Sequence, residues 1–213
     1  SQCPTPVPTV VDAGALSILA ELLTEDLSCT PLHVLTPHAG EASALLSTLA
    51  DKGAPTQETR RWSRERVEAH PGLAAREICR LTGATVLLKG ATTLIAAPQR
   101  PLVSVDGGPG WMATAGSGDV LAGILGAVLA GAAVRWEQGA SAASGLGPVL
   151  DVLVDSVAAG VRLHALAGAY VAASPQGAGS AGTGGHPIAA LDITAALGAA
   201  RLELNWFQAV PHH

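Results

Sequence analysis

Short β-branched runs alternate along this chain with longer Ala- and Leu-rich stretches whose apolar positions recur at helical spacing. That switching between a period of 2 and a period of 3.6 predicts repeated β-α units. Val7 to Asp12 predicts a buried strand ending in an acid, and Ala13 to Thr24 a helix with Leu16, Leu19, Ala20 and Leu23 on one face. Leu32 to Thr36 predicts a second strand, stopped by Pro37. Glu41 to Ala50 predicts a second helix, with an acid in the first turn where the helix dipole favours one. Residues 51–69 are polar and Pro-containing, which predicts a loop or a short exposed helix. Pro71 to Thr82 predicts a helix, with Pro in its first turn and Gly83 just past its end. Strands follow over Thr85–Leu88, Thr93–Ala97 and Leu102–Val105, the first two divided by Lys89-Gly90, and Asp106–Gly110 is a glycine-rich turn. The last helices are expected over Val120–Ala130, Val149–Ala173 and Leu191–Leu204. The first of these is apolar all round and is therefore expected to be buried. Gly139–Pro148 and residues 174–187, the latter including the low-complexity Gly177–Gly185, are expected to be flexible.

Such a pattern predicts one α/β domain over residues 1–213. Its architecture would be a three-layer α/β/α sandwich with a mostly parallel sheet and a site at the strands' C-terminal edge. Composition narrows the function classes. The apolar content is Ala, Val and Leu with few aromatics, which suits helices packed close on a sheet. A formal net charge of −5 argues against nucleic acid, whose backbone calls for clustered Lys and Arg. The one basic cluster, Arg60, Arg61, Arg64 and Arg66, is interrupted by Glu65 and Glu68 and reads as a solvated helix face. Cys3, Cys29 and Cys79 are odd in number and widely spaced, so a reduced cytoplasmic setting is expected. No signal-peptide pattern opens the sequence. The apolar run Val120–Val134 is too short to span a bilayer comfortably, so no membrane role is expected.

Ala113-Thr114-Ala115-Gly116-Ser117-Gly118-Asp119 carries the strongest chemical signal. Small residues ahead of a helix let backbone N–H groups turn toward a phosphate, and the helix adds its positive end. Gly116 and Gly118 permit close approach, and Asp119 falls in the first turn, free to move a proton. A dipole–carboxylate interaction is worth only about 0.3–1 kcal/mol, whereas one well-aimed oxyanion donor supplies about 2.7–4 kcal/mol. The amides would therefore do the electrostatic work. A Gly-Asp pair alone would be an ordinary helix start; the seven-residue string is what points to phosphate. Lys89 leaves a buried strand as a point charge suited to phosphate, and Gly90 admits a nucleotide closely. His38 and Glu41 sit at a strand's C-terminal edge, where an imidazole can donate to a hydroxyl and a carboxylate can hold a hydrated metal. His164, in Val161–Gly168, reads as helix packing.

The string A-T-A-G-S-G-D-V-L-A-G-I resembles the Gly-x-Gly-Asp anion hole of the ribokinase-like superfamily, and in its longer form the ADP/ATP-dependent NAD(P)H-hydrate dehydratases. T-P-H-A-G-E (Thr36–Glu41), L-L-K-G-A-T-T-L-I (Leu87–Ile95), V-R-L-H-A-L-A-G and A-L-D-I-T are similar to further motifs of that family, in the expected order. The resemblance implies a ribokinase-like fold and dehydration of hydrated NADH or NADPH at the expense of ADP or ATP with Mg²⁺. By the same resemblance Asp119 is the catalytic base and contacts substrate. Gly116, Ser117, Gly118 and the segment Lys89, Gly90, Ala91, Thr92 and Thr93 bind nucleotide. His38 contacts the hydrated nicotinamide, and Glu41 orients Mg²⁺-bound water. A homotetramer is also implied.

Three departures from the family pattern stand out. D-A-G-A-L-S (Asp12–Ser17) replaces D-A-D-A-L-N, so an acid and an amide are missing and a role for this loop is weakened. Gly139–Asp155 is longer than usual. The match begins about where the family's third or fourth strand would stand, so the expectation is a chain lacking its N-terminal portion, or part of a larger parent such as the form that also carries an epimerase. Two alternatives stay open: a small-molecule kinase of the hydroxyethylthiazole or hydroxymethylpyrimidine type, and a non-catalytic nucleotide-binding remnant.

Overall fold

The structure is a computed structural model and describes residues 7–23, 28–53, 61–139, 146–173 and 185–209. Its elements run β1 (Thr9–Val11), α1 (Gly14–Leu22), β2 (His33–Leu35), α2 (Ala39–Asp51), α3 (Arg64–Ala69) and α4 (Pro71–Thr82), then β3 (Thr85–Leu88), β4 (Thr92–Ala96), β5 (Val103–Asp106), a 3₁₀ turn (Gly110–Met112), α5 (Ser117–Gly139), α6 (Leu146–Ala172) and α7 (Ala190–Ala209). The five strands lie in sequence order in one sheet. β1–β2 and β2–β3 pair parallel, and β3–β4 and β4–β5 pair antiparallel. Four strands thus point one way and β4 alone points back, so the mostly parallel sheet expected from the pattern is what forms.

Strand alternation divides the core in two. Leu35, Val86 and Leu88 face Leu16, Leu45, Leu46 and Ile78 of α1, α2 and α4. Val34, Leu87 and Ile95 face Leu121, Leu125, Leu153 and Val157 of α5 and α6. β3 is buried throughout, as a strand covered on both faces must be. A third cluster joins Met112, Ala167, Ile188 and Ile193 beneath α7. The three-layer sandwich follows directly from this two-sided burial.

Three expectations change. Residues 64–69 are helical and not merely exposed: Val67 is fully buried, and Trp62 just ahead of them is buried too. The helix expected at Val120–Ala130 runs from Ser117 to Gly139, and it is not buried all round. Leu121, Ile124, Leu125, Leu129 and Ala132 point inward, while Gly123, Gly126, Ala127, Ala130 and Gly131 are exposed. Small residues cost little in water, so apolar composition on every side did not require burial on every side. Ser117–Trp136 is also long and apolar enough, by length and hydropathy, to cross a membrane. Here Leu121, Ile124, Leu125 and Leu129 pack inside the domain while Val134 is exposed, and α6 comes close because Gly160 lacks a Cβ, which would stand 3.0 Å from Leu125 Cδ2. Of the stretches expected to be flexible, 140–145 and 174–184 lie outside the described residues, while Gly139 closes α5 and Leu146, Gly147 and Pro148 open α6, which therefore starts ahead of the expected Val149.

Leu125 is fully buried at the α5–α6–sheet junction. Leu125→Ala is expected to lower stability by about 2–5 kcal/mol, read as a fall in the urea midpoint. Ala127→Ser, on the exposed face of the same helix, is expected to change it by less than about 0.5 kcal/mol.

Candidate active site

Parallel strands deliver their C-terminal residues to one edge of the sheet. At that edge Asp12 follows β1, Thr36 to Glu41 follow β2, and Lys89 follows β3. The Lys89 N–H donates to the Pro37 carbonyl at 2.8 Å, and His38 and Lys89 form an isolated parallel bridge. The two strings that the sequence kept 50 residues apart are thus laid side by side.

The Lys89 ammonium donates to Asp12 Oδ1 at 2.8 Å and lies 3.8 Å from Glu41 Oε2. Asp12 Oδ1 also accepts the Thr36 hydroxyl at 2.7 Å. The Asp12 and Lys89 side chains are only 14% and 20% exposed. Burial pushes the Asp12 carboxyl up, but the hydrogen bonds from Lys89 and Thr36 and the Lys89 charge outweigh it and hold the group below its ordinary value. Ala13 leaves the strand with φ +51°, a conformation that side chains rarely adopt and that persists only where the surroundings impose it. Asp12 is thus tied to Lys89 at this edge, in the loop whose role the altered Asp12–Ser17 string was expected to weaken. The signal was present as a strand ending in an acid; its partner, 77 residues away, was not visible.

His38 caps α2. Its Nδ1 accepts from the Gly40 and Glu41 amides at 3.0 and 3.2 Å, and Glu41 Oε2 accepts the His38 N–H at 2.8 Å, which is a reciprocal capping box. An Nδ1 used as an acceptor puts the proton of the neutral ring on Nε2. That nitrogen is exposed as a donor, 3.6 Å from Glu41 Oε1.

The anion string behaves as its composition suggests. Gly116 takes φ +83°, its carbonyl accepts the Val120 N–H at 3.1 Å, and α5 starts at Ser117. The Ser117 N–H is engaged by the Thr114 carbonyl at 3.2 Å. Gly118 and Asp119 stand in the first turn, where helix geometry leaves N–H groups without intrahelical acceptors. Gly118 faces the ion pair: a Cβ there would stand 3.5 Å from Lys89 Nζ and 4.0 Å from Asp12 Oδ2. Asp119 is exposed, its carboxylate close to Gly116.

Ser117 turns its hydroxyl inward, where Oγ is 3.2 Å from His164 Nε2 on α6. Both side chains are buried, His164 being 7% exposed. Burial pushes the His164 imidazole down to about 4, against a smaller upward pull from Ser117. The ring is thus neutral at neutral pH and ties the start of α5 to α6. Sequence reading placed His164 in plain helix packing; its position in an Ala-, Leu- and Val-rich helix gave no hint of a hydroxyl partner 47 residues away.

One cavity of about 940 Å³ gathers most of these groups. His38, Lys89, Gly90, Ala91, Thr92, Thr93, Ser117 and Gly118 line it together with the Gly107–Gly110 turn, Met112, His164 and, from α3, Arg64 and Glu68. Glu41, Gly116 and Asp119 are not among its lining residues: Glu41 touches the lining His38 and Lys89, and Asp119 lies beside Gly116 in the turn that carries Ser117 and Gly118. Gly107 is pressed on the nucleotide segment, since a Cβ would stand 2.5 Å from the Gly90 carbonyl oxygen. The volume is at the upper end of the range for small-molecule sites. Arg64 and Glu68 are exposed, in keeping with the solvated face read from the sequence, and both also line this cavity.

The α/β/α sandwich shares its fold with ribokinase-like proteins. A ribokinase-like superfamily protein of Enterococcus faecalis matches 91% of this chain at TM-score 0.56 and 21% identity, this chain covering 52% of it. An ADP/ATP-dependent NAD(P)H-hydrate dehydratase of Bacillus subtilis, co-crystallised with ATP and Mg²⁺, matches 91% at TM-score 0.57 and 22% identity, with 54% of that chain covered. Residues 2–181 match the NAD(P)H-hydrate dehydratase family, and the chain belongs to it. The ADP-dependent (S)-NAD(P)H-hydrate dehydratase of Neisseria meningitidis is 38% identical over 167 residues, 77% of this chain and 51% of that protein. A bifunctional NAD(P)H-hydrate repair enzyme of Mycobacterium tuberculosis is 42% identical over 126 residues, 59% of this chain and 23% of that protein. This chain therefore spans about half or less of the length of these relatives.

The folded His164 binds its proton only near pH 4, whereas the unfolded residue binds it near 6.5. Between those values the unfolded state holds the extra proton, so stability is expected to fall as pH drops from about 6.5 to about 4, by roughly 3 kcal/mol in all. Urea midpoints measured across that window check this, and His164→Gln is expected to flatten the dependence.

Proposed function

We propose that this chain dehydrates hydrated NADH or NADPH, using ADP or ATP as phosphoryl donor. The reading is carried by one observation: in a chain of the NAD(P)H-hydrate dehydratase family, the ends of β2 and β3 and the start of α5 line a single cavity. Hydroxide is a poor leaving group from the hydrated ring, and a phosphate ester is a good one. Asp119 takes the hydroxyl proton as the substrate oxygen attacks the terminal phosphorus of the nucleotide. The amides of the Gly116–Gly118 segment and the positive end of α5 receive the charge on the moving phosphoryl group. Of these, the Gly118 amide is best disposed, because the Ser117 amide already serves Thr114. Loss of phosphate then restores the ring double bond. Lys89 meets the nucleotide phosphates, Gly90 to Thr93 and Gly107 shape the nucleotide wall, and His38 Nε2–H donates to the hydrated nicotinamide.

Among the described residues no three His, Cys, Asp or Glu side chains converge as a metal cage. That suits Mg²⁺, which is held mainly by phosphates and water with one or two carboxylates. Glu41 and the Oδ2 atom of Asp12 are the carboxylates placed for it, and when bound it would offset phosphate charge. The reading includes a cytoplasmic setting, in keeping with the free buried thiols of Cys29 and Cys79, and a homotetramer, to be checked by analytical ultracentrifugation.

The test supplies hydrated NADPH with ADP or ATP and follows the returning dihydropyridine absorbance. Wild-type protein is expected to restore it with release of free phosphate, and Asp119→Asn to lose roughly 10²–10⁴ in rate while still binding nucleotide. Full activity in that variant would falsify the assignment of the base. A stable phosphorylated product in place of free phosphate would identify a small-molecule kinase, and nucleotide binding without turnover a non-catalytic remnant. Lys89→Met is expected to weaken ADP binding about tenfold or more by calorimetry, the loss of one charge-assisted hydrogen bond at about 1.5–3 kcal/mol.

A further inference from the structure

The cavity runs over the edge of the sheet from one helical layer to the other. α5 and α6 bring the anion string and His164 to it from one side. α3, whose Val67 belongs to the core shared with α1, α2 and α4, brings Arg64 and Glu68 from the other. The described basic residues of the 60–66 cluster have different fates. Arg61 pairs with Asp51 at 3.4 Å, Arg66 lies over the Trp62 ring at 4.4 Å, and Arg64 reaches the cavity. Glu68 holds Arg64 through Nε alone, at 2.8 Å, and among the described residues the two Nη groups have no protein partner. A guanidinium pinned at Nε presents its remaining N–H groups as a parallel pair, the geometry that suits a phosphate.

Two ligands rich in phosphate must share this cavity in the reaction proposed above. The nucleotide's phosphates fall to Lys89 and the start of α5, and among the described lining residues the only other Lys or Arg is Arg64. We propose that Arg64, set by Glu68, recognises a phosphate of the pyridine dinucleotide and so determines specificity for that substrate apart from the nucleotide site. This rests on the dehydratase reading.

The experiment uses the full chain and the restored dinucleotides NADH and NADPH as probes, titrated by fluorescence with ADP held saturating. Arg64→Ala is expected to raise the dinucleotide Kd by roughly three- to tenfold, with Arg64→Lys intermediate. The salt dependence of dinucleotide binding should become shallower. The ADP Kd should stay within about twofold, since Lys89 and the α5 start are untouched. Loss with both dinucleotides assigns the pyrophosphate, and loss with NADPH alone the 2′-phosphate. Arg64 is an exposed side chain, so thermal melting should match wild type and exclude a folding defect. Unchanged dinucleotide binding, or an equal loss for ADP, overturns the assignment of Arg64. If wild-type protein binds the dinucleotide and Arg64→Ala binds it equally, the arginine assignment alone fails. If wild type binds neither dinucleotide, the dehydratase reading falls as well.

Discussion

An ammonium and a carboxylate, each mostly withdrawn from water, meet 2.8 Å apart between Lys89 and Asp12. Taken singly, each would be expensive to desolvate; together, with the Thr36 hydroxyl on the same carboxylate oxygen, they are supported. The pair can form only if β1, β2 and β3 run parallel in the observed register. Val11 must stand beside Leu35, and Leu35 beside Val86, for the chain ends beyond them to meet. The hydrophobic alternation that sorts Val34 from Leu35 and Leu87 from Val86 therefore does more than fill a core. A one-residue slip would turn those side chains over and also part Lys89 from Asp12.

The opposite wall depends on a different device. The start of α5 has to hold its free amides toward the cavity, and a helix end left to itself frays. The Ser117 hydroxyl meets a buried neutral His164 at the cavity wall, so α6 steadies the first turn. Gly160 lets the two helices approach, and Met112 packs where Gly108 and Gly168 leave room for its sulfur. Packing, caps and amides thus act on one object, the direction of two or three N–H groups.

Much of this was legible beforehand. Pro71–Thr82 and Thr85–Leu88 fall on the same residues in both readings, because Pro, Gly83 and a solid apolar run are strong local signals. The motif residues His38, Lys89 and Gly118 meet in one cavity, since strings at strand ends have nowhere else to go in a parallel sheet. Asp12 with Lys89 and Ser117 with His164 are pairings across 77 and 47 residues, and Arg64 reaches the cavity from the other helical layer; for none of these does local pattern carry information. The outward face of α5 was misread for a related reason. Apolarity of Gly and Ala does not say which side is covered; the large side chains do.

These pairings bear on how a chain of formal charge −5 can hold polyphosphates. At the edge where β1 to β3 end, Asp12, Glu41 and Asp119 outnumber Lys89. The ammonium's charge is already matched before any ligand arrives. Side-chain charge alone therefore cannot attract a nucleotide; what remains is the backbone at the start of α5, which carries about half a positive charge that no carboxylate can neutralise by proton loss. A phosphate entering there draws on oriented amides, and the nearby carboxylates are left to a cation that travels with it. In the proposed reaction the tasks are therefore separate: backbone for the moving phosphoryl group, the carboxylate of Asp119 for the proton, and guanidinium or ammonium for the ends of the ligands.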